Sequence, residues 1–168
     1  LQLSDRPVNL IDQAYDVGIR IGEMPDARII ARKIASNRRL LCAAPAYIKR
    51  HGQPSVPRDL QKQQCIVLRE NDAAYGSWHL HRGKRQESVK VRGALSSNDG
   101  ETTLAWALAG HGILMRSQWD VAPYLRSGRL VEVLADWSLP PSDIYAVYPE
   151  RLNPVSYTHL TLPTSDLV

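Results

Sequence analysis

Short apolar runs separated by polar turns alternate along this chain with segments of helical spacing. Residues 16–22 (DVGIRIG), 38–44 (RRLLCAA), 65–68 (CIVL), 112–116 (GILMR), 130–134 (LVEVL) and 144–148 (IYAVY) are too short for stable helices and are rich in aliphatic side chains. Between them lie helical candidates. Residues 45–52 open on Pro45 and close on Gly52, residues 99–109 follow an Asn98-Asp99 cap, and residues 118–127 stop at Gly128. This order predicts an α/β fold with largely parallel strand pairing, and residues 16–22 read as a buried parallel strand. Residues 77–82 and 87–93 flank a polar turn at Gly83-Lys84, which predicts one antiparallel hairpin. Residues 8–14 have helical spacing, with Leu10, Ile11 and Ala14 on one face.

The 168 residues, 43% of them hydrophobic, suffice for one domain or two small lobes with a real core. No apolar run approaches the ~18 residues of a membrane span, and no signal-peptide pattern opens the chain. It begins at Leu1 rather than Met, which predicts a piece of a longer protein. Two cysteines, Cys42 and Cys65, both in apolar stretches, read as buried thiols and point to a reducing, cytoplasmic setting. The net charge is +4. No acid lies between Asp26 and Asp59, where eight Lys and Arg fall, and this stretch reads as a solvated flank before it reads as an anion-binding face.

Catalytic signals are weak. GxSxG, HExxH, Walker and GxGxxG patterns are absent. His79 and His81 share one face of a predicted strand but have no third ligand nearby, so no metal and no cofactor are expected. The segment 96–100 (SSNDG) leaves a strand and opens a helix, and such N-termini present free N–H groups that favour an anion. Ligands of open α/β sheets bind at the carboxyl ends of strands. Ser4 and Arg20 lie at or near two other strand ends, and Trp78 is a candidate pocket wall. Arg20 is a cation within an apolar strand, which is costly unless a ligand or an acid such as Asp99 pairs with it.

An ordered set of segments carries a resemblance. Residues 16–22, 39–47 (RLLCAAPAY), His51-Gly52 with Pro54, Pro57 with Asp59-Leu60, 93–100 (GALSSNDG), 109–113 (AGHGI), 128–134 (GRLVEVL) and 146–149 (AVYP) together resemble the effector-binding domain of LysR-type transcriptional regulators. The resemblance covers roughly residues 1–153. It implies a two-lobed periplasmic-binding-protein-like (type 2) fold with an incomplete first lobe. Residues 1–37 and 144–153 would form lobe 1, residues 38–139 lobe 2, and residues 154–168 a tail outside the fold. Ser36, Asn37 and Arg38, with Ser138 and Ser142, would form the hinge crossings.

It further implies a non-enzymatic sensor that binds a small anionic effector through Ser4, Arg20, Asn98, Asp99 and Trp78. Its partners would be a second copy, in a dimer or tetramer, and DNA reached through a helix-turn-helix absent from this chain; no membrane is implied. Residues 8–14 and 118–127 are the candidate association faces. The alternative is a solute-binding module of a transport system with the same fold. An enzyme on this architecture would need a nucleophile and base in the cleft, and no such pair is apparent.

Overall fold

Each of the apolar runs becomes a strand, but their partners are not those that simple alternation predicts. The computed structural model describes residues 10, 12–22, 28–69 and 76–150. The strands are β1 (Gly18–Ile21), β2 (Ile29–Ala35), β3 (Arg39–Ala43), β4 (Cys65–Leu68), β5 (Ser77–Arg82), β6 (Arg85–Lys90), β7 (Ser96–Ser97), β8 (Ile113–Ser117), β9 (Val131–Val133) and β10 (Ile144–Pro149). The helices are α1 (Pro45–His51), α2 (Gly100–Leu108) and α3 (Gln118–Arg126), with a 3-10 turn at Pro57–Lys62. They build a three-stranded sheet, β1-β10-β2, a five-stranded sheet, β7-β4-β8-β3-β9, and the separate hairpin β5-β6.

Five of the seven described pairings are antiparallel, which corrects the parallel expectation. Only β4 runs parallel to its neighbours β7 and β8. The chain leaves β3 through α1 and the 3-10 turn and re-enters the sheet beyond β8, so β3 is left antiparallel between β8 and β9. Hydrophobic periodicity states that a strand is buried; it does not state which strand lies beside it.

The five-stranded sheet is covered on both faces. Leu41, Ala43, Cys65, Val67, Ile113 and Val133 point to one side, where Trp78, Leu80 and Val89 of the hairpin, Tyr47 of α1 and Trp137 complete a core. Leu40, Cys42, Ile66 and Leu114 point to the other, against Leu104 and Ala107 of α2 and Val121 of α3. This double burial is why β3 and β4 read as continuous apolar runs rather than alternating ones. Gly93 passes so close to Cys65 that a Cβ there would collide with the Cys65 carbonyl oxygen.

The three-stranded sheet is different. Among the described residues β1 lies at the edge of this sheet, antiparallel to β10, and it alternates. Gly18 faces Leu10 and Val147, while Ile19 and Ile21 are 67% and 59% exposed, so residues 16–22 are not a buried parallel strand. A fully buried strand needs a layer on each face, and among the described residues this sheet has one only in part. Of the helix expected at 8–14, residues 12–14 form a turn in which Ala14 adopts a left-handed φ of 53°, and the Tyr15 N–H donates to the Leu10 carbonyl at 3.1 Å. The hairpin forms as expected around Gly83-Lys84, with Trp78 opposite Val89. The tail at 154–168 lies outside the described residues.

Candidate functional site

Two chain segments cross between the two sheets, residues 36–38 after β2 and residues 138–143 before β10. Asn37, only 4% exposed, binds them together. Its backbone N–H donates to Asp143 Oδ1 at 3.0 Å and its Nδ2 donates to the Ser142 carbonyl at 3.1 Å. The Ser142 N–H donates back to the Asn37 carbonyl at 3.1 Å. Asp143 also meets Lys33 Nζ of β2 at 2.6 Å. The Lys33 ammonium and the Asn37 N–H hold the Asp143 carboxyl below the usual carboxylate range, and the Asp143 hydrogen bond raises Lys33 in turn.

The other side of the junction is tied to the five-stranded sheet. Ser117 Oγ, at the end of β8, donates to Asn37 Oδ1 at 2.8 Å. Ser117 precedes α3 as a helix cap should, yet its hydroxyl turns to the crossing and not to the helix. Arg38 Nε donates to Gln118 Oε1 at 2.7 Å, and its guanidinium faces both carboxylate oxygens of Glu132 at 3.3 and 3.4 Å. Thus Asn37 is fastened both to the second crossing and, through Ser117, to the end of β8, while Arg38 is fastened to β9 and α3. Of the other hinge candidates, Ser36 is exposed, and Ser138 is engaged with the hairpin through two backbone hydrogen bonds to His81 at 2.8 and 2.9 Å. Lys33, Ser117 and Asp143 carry no signal in the sequence, because each acts through a partner between 80 and 110 residues away.

The C-terminal ends of β4, β7 and β8 lie along one edge of the five-stranded sheet, and α2 begins there. Asp99 caps α2. Its Oδ2 accepts from the Thr102 N–H at 2.9 Å and from the Thr102 hydroxyl. These two bonds lower its pKa, and the Arg116 charge adds to the effect. Asn98 beside it is exposed. Arg116 of β8 was not foreseen. Its guanidinium lies against Gly100 at the start of α2, where a Cβ would collide with it, and its side chain is only 14% exposed. Arg116 Nε stands 2.9 Å from Asp120 Oδ2 but off the hydrogen-bond direction, so this contact is ionic.

Arg20 is half-buried on β1, opposite Tyr145. It makes no ion pair with Asp99. Trp78 is 3% exposed inside the hairpin core and presents no surface to a cleft, so a pocket-wall role does not fit it. Ser4 lies outside the described residues. His79 and His81 do share the exposed face of β5, with His79 Nδ1 2.7 Å from Ser88 Oγ. Among the described residues no group of three His, Cys, Asp or Glu could hold a metal ion. Cys42 and Cys65 are buried, and burial pushes both thiols up to about 12. The described cavities are shallow. One, of about 350 Å³, lies between residues 53–55 and 134–137.

A five-stranded α/β unit and a three-stranded sheet joined by a pair of bonded crossings, with strand ends and a helix N-terminus along one edge, fit a two-lobed binding domain of the periplasmic-binding-protein-like kind. Residues 1–158 match the LysR substrate binding domain, and the chain belongs to that family. It is 45% identical over 152 residues to the HTH-type transcriptional activator TtdR of Escherichia coli K12, covering 90% of this chain and 48% of the relative. It is 41% identical over 160 residues to the HTH-type transcriptional regulator DmlR of the same strain, covering 95% and 52%. The chain therefore spans about half the length of these relatives. Among solved structures it resembles the regulatory domain of AphB from Vibrio vulnificus, with a TM-score of 0.71, 30% identity, and 82% and 68% of the two chains covered. The regulatory domain of CrgA from Neisseria meningitidis gives a TM-score of 0.72 at 26% identity, covering 85% and 70%. These relatives favour a regulator over a transport module. No described helix is long and apolar enough to cross a membrane.

Proposed function

We propose that this chain is the effector-sensing part of a LysR-type transcription regulator that works in the cytoplasm without catalysis. Residues 1–37 and 144–153 serve as lobe 1 and residues 38–139 as lobe 2. A small anionic metabolite is held between them, and a helix-turn-helix elsewhere in the intact protein contacts DNA. The observation that carries this reading is the Asn37 junction. Two short crossings bonded to each other and to the end of β8 at one residue give a single narrow junction about which one lobe can turn against the other, and a ligand shifts such an equilibrium by its differential affinity for the two states. Ser4, Arg20, Asn98 and the α2 N-terminus behind Asp99 are the proposed ligand contacts. Asp99, already engaged by Thr102, acts through the helix it caps. The intact protein associates as a dimer or tetramer, with α3 and its 54% exposed Trp119 as one contact face.

The test is a titration of candidate carboxylates into the intact regulator and its Arg20→Ala variant. A charge-assisted contact predicts a loss of roughly 1.5–3 kcal/mol in binding. Unchanged affinity with unchanged reporter expression would remove Arg20 from the site.

A further inference from the structure

The hairpin β5-β6 has two unlike faces. Trp78, Leu80 and Val89 are buried on the inner one, where Arg82 and Arg85 lie over Trp137. The outer face carries His79 and His81 of β5 with Gln86, Ser88 and Lys90 of β6, all exposed. Alternate residues of a strand point to one face, so the two imidazoles stand side by side, their Cα atoms about 6.7 Å apart. The backbone at His81 is held on both flanks. On one side it pairs with Gln86 of β6, and on the other it exchanges backbone hydrogen bonds of 2.8 and 2.9 Å with Ser138. The His79 ring is oriented too, because its Nδ1 lies 2.7 Å from the Oγ of Ser88 directly across the hairpin. When Nδ1–H donates to that hydroxyl, Nε2 carries a free lone pair. Metal-bound histidines are held in this way, one ring nitrogen on the ion and the other donating to an oxygen. The outer face has no carboxylate. Its one cation, Lys90, stands opposite Ser77, a row beyond His79.

We propose that His79 and His81 form a two-point chelate for a late divalent transition-metal ion, with water in the remaining positions. The donor set selects the ion. Imidazole nitrogen suits copper, nickel and zinc, whereas magnesium and calcium take carboxylate oxygens that this face lacks. A closed structural zinc centre uses four protein ligands. Among the described residues not even a third His, Cys, Asp or Glu joins this pair, so the site is open and exchangeable and contributes no fold-determining centre. Copper(II) heads the expected order of affinity, as it does for divalent first-row ions generally. The rigid hairpin supplies what two exposed histidines on a loop would lack, a fixed backbone under both rings and one ring already turned. The site lies outside the effector contacts proposed above and does not depend on them.

The test titrates copper(II) into the 168-residue chain, with affinity from calorimetry and the donor set from electron paramagnetic resonance. The tightest equivalent shows splitting from two imidazole nitrogens. His79→Gln and His81→Gln each weaken it by about a hundredfold, because two ligands on one strand bind as a unit. Each also leaves a single-nitrogen spectrum, and the double variant loses little more than either single one. Both side chains are exposed, so the fold tolerates the changes. Ser88→Ala keeps both ligands and frees the His79 ring, and it weakens binding by about tenfold. Nickel(II) and zinc(II) bind the same pair less tightly than copper(II). His111→Gln, remote in sequence and exposed, leaves the tight equivalent unchanged. A one-nitrogen spectrum in the wild-type chain, or equal affinity in wild type and the two single variants, overturns the proposal. So does an equal loss in His111→Gln, which would place the copper on histidines elsewhere in the chain.

Discussion

The two sheets of this protein are made from runs of similar composition and are buried to very different degrees. In the five-stranded sheet β3 and β4 bury nearly every side chain, because the hairpin and α1 cover one face while α2 and α3 cover the other. In the three-stranded sheet Val147 is buried against Gly18 and Leu10, yet Ile19, Ile21, Ile30 and Ile34 remain exposed. Local sequence thus decides that a segment extends, and the covering layers decide what its burial contributes. Stability should therefore reside in the larger sheet, and the smaller one should behave as the yielding partner at the crossing.

The largest effect expected is in the centre of the larger sheet. Leu114 of β8 is fully buried between β3 and the α2–α3 layer. Leu114→Ala removes its transfer free energy and leaves a cavity, and should cost about 2–5 kcal/mol by urea unfolding. A loss under about 1 kcal/mol would mean that the site collapses around the smaller residue and that the contrast between the sheets is overstated.

The crossing comes next. Asn37→Ala removes the acceptor of the Ser117 hydroxyl and the donor to the Ser142 carbonyl in a buried setting, and should cost about 1–3 kcal/mol. It should also separate the unfolding of the two sheets, seen as non-coincident transitions by tryptophan fluorescence and far-UV circular dichroism. A single coincident transition would show that other contacts couple them. Acid should loosen the same junction. The folded Asp143 carboxyl is held below its unfolded value, so its contribution is complete above the unfolded pKa near 4 and is lost as pH falls through the lower folded value. Asp143→Asn should remove that part of the pH dependence.

Much of the larger sheet was legible beforehand. Residues 38–44 and 65–68 read as strands, Pro45 and Gly52 bound α1, and Asp99 caps α2, because each of these signals acts within a few residues. Strand direction was not legible, since β3 meets β8 and β9 more than 70 residues further on. Of the proposed contacts, only the Asp99 cap of α2 was legible. Asp99 satisfies itself on Thr102 and does not reach Arg20, while Arg116 occupies the adjacent space through the strand register that pairs it with Leu40. Trp78 misled because a tryptophan on an amphipathic strand is as readily a core residue as a pocket wall, and the packing of Trp137 against the hairpin decides for the core.

The smallest expected effect lies on the exposed face of β1, and it sharpens the comparison from the other side. Ile19 sits opposite Ala146, and Ile21 opposite Ile144, with both isoleucine side chains largely in solvent. Threonine keeps the β-branch that suits an extended backbone while removing apolar surface. Ile19→Thr should therefore change unfolding stability by no more than about 0.5 kcal/mol, as surface substitutions do, against the several kcal/mol expected at Leu114. It should also raise solubility, because an edge strand with exposed apolar side chains invites pairing between chains. The same substitution in the intact regulator is the more informative measurement. If the face is open there as well, the small value is reproduced. A loss above about 1.5 kcal/mol in the intact protein alone would show that further polypeptide covers this sheet. The contrast between the two sheets would then describe this chain and not the longer regulator proposed above.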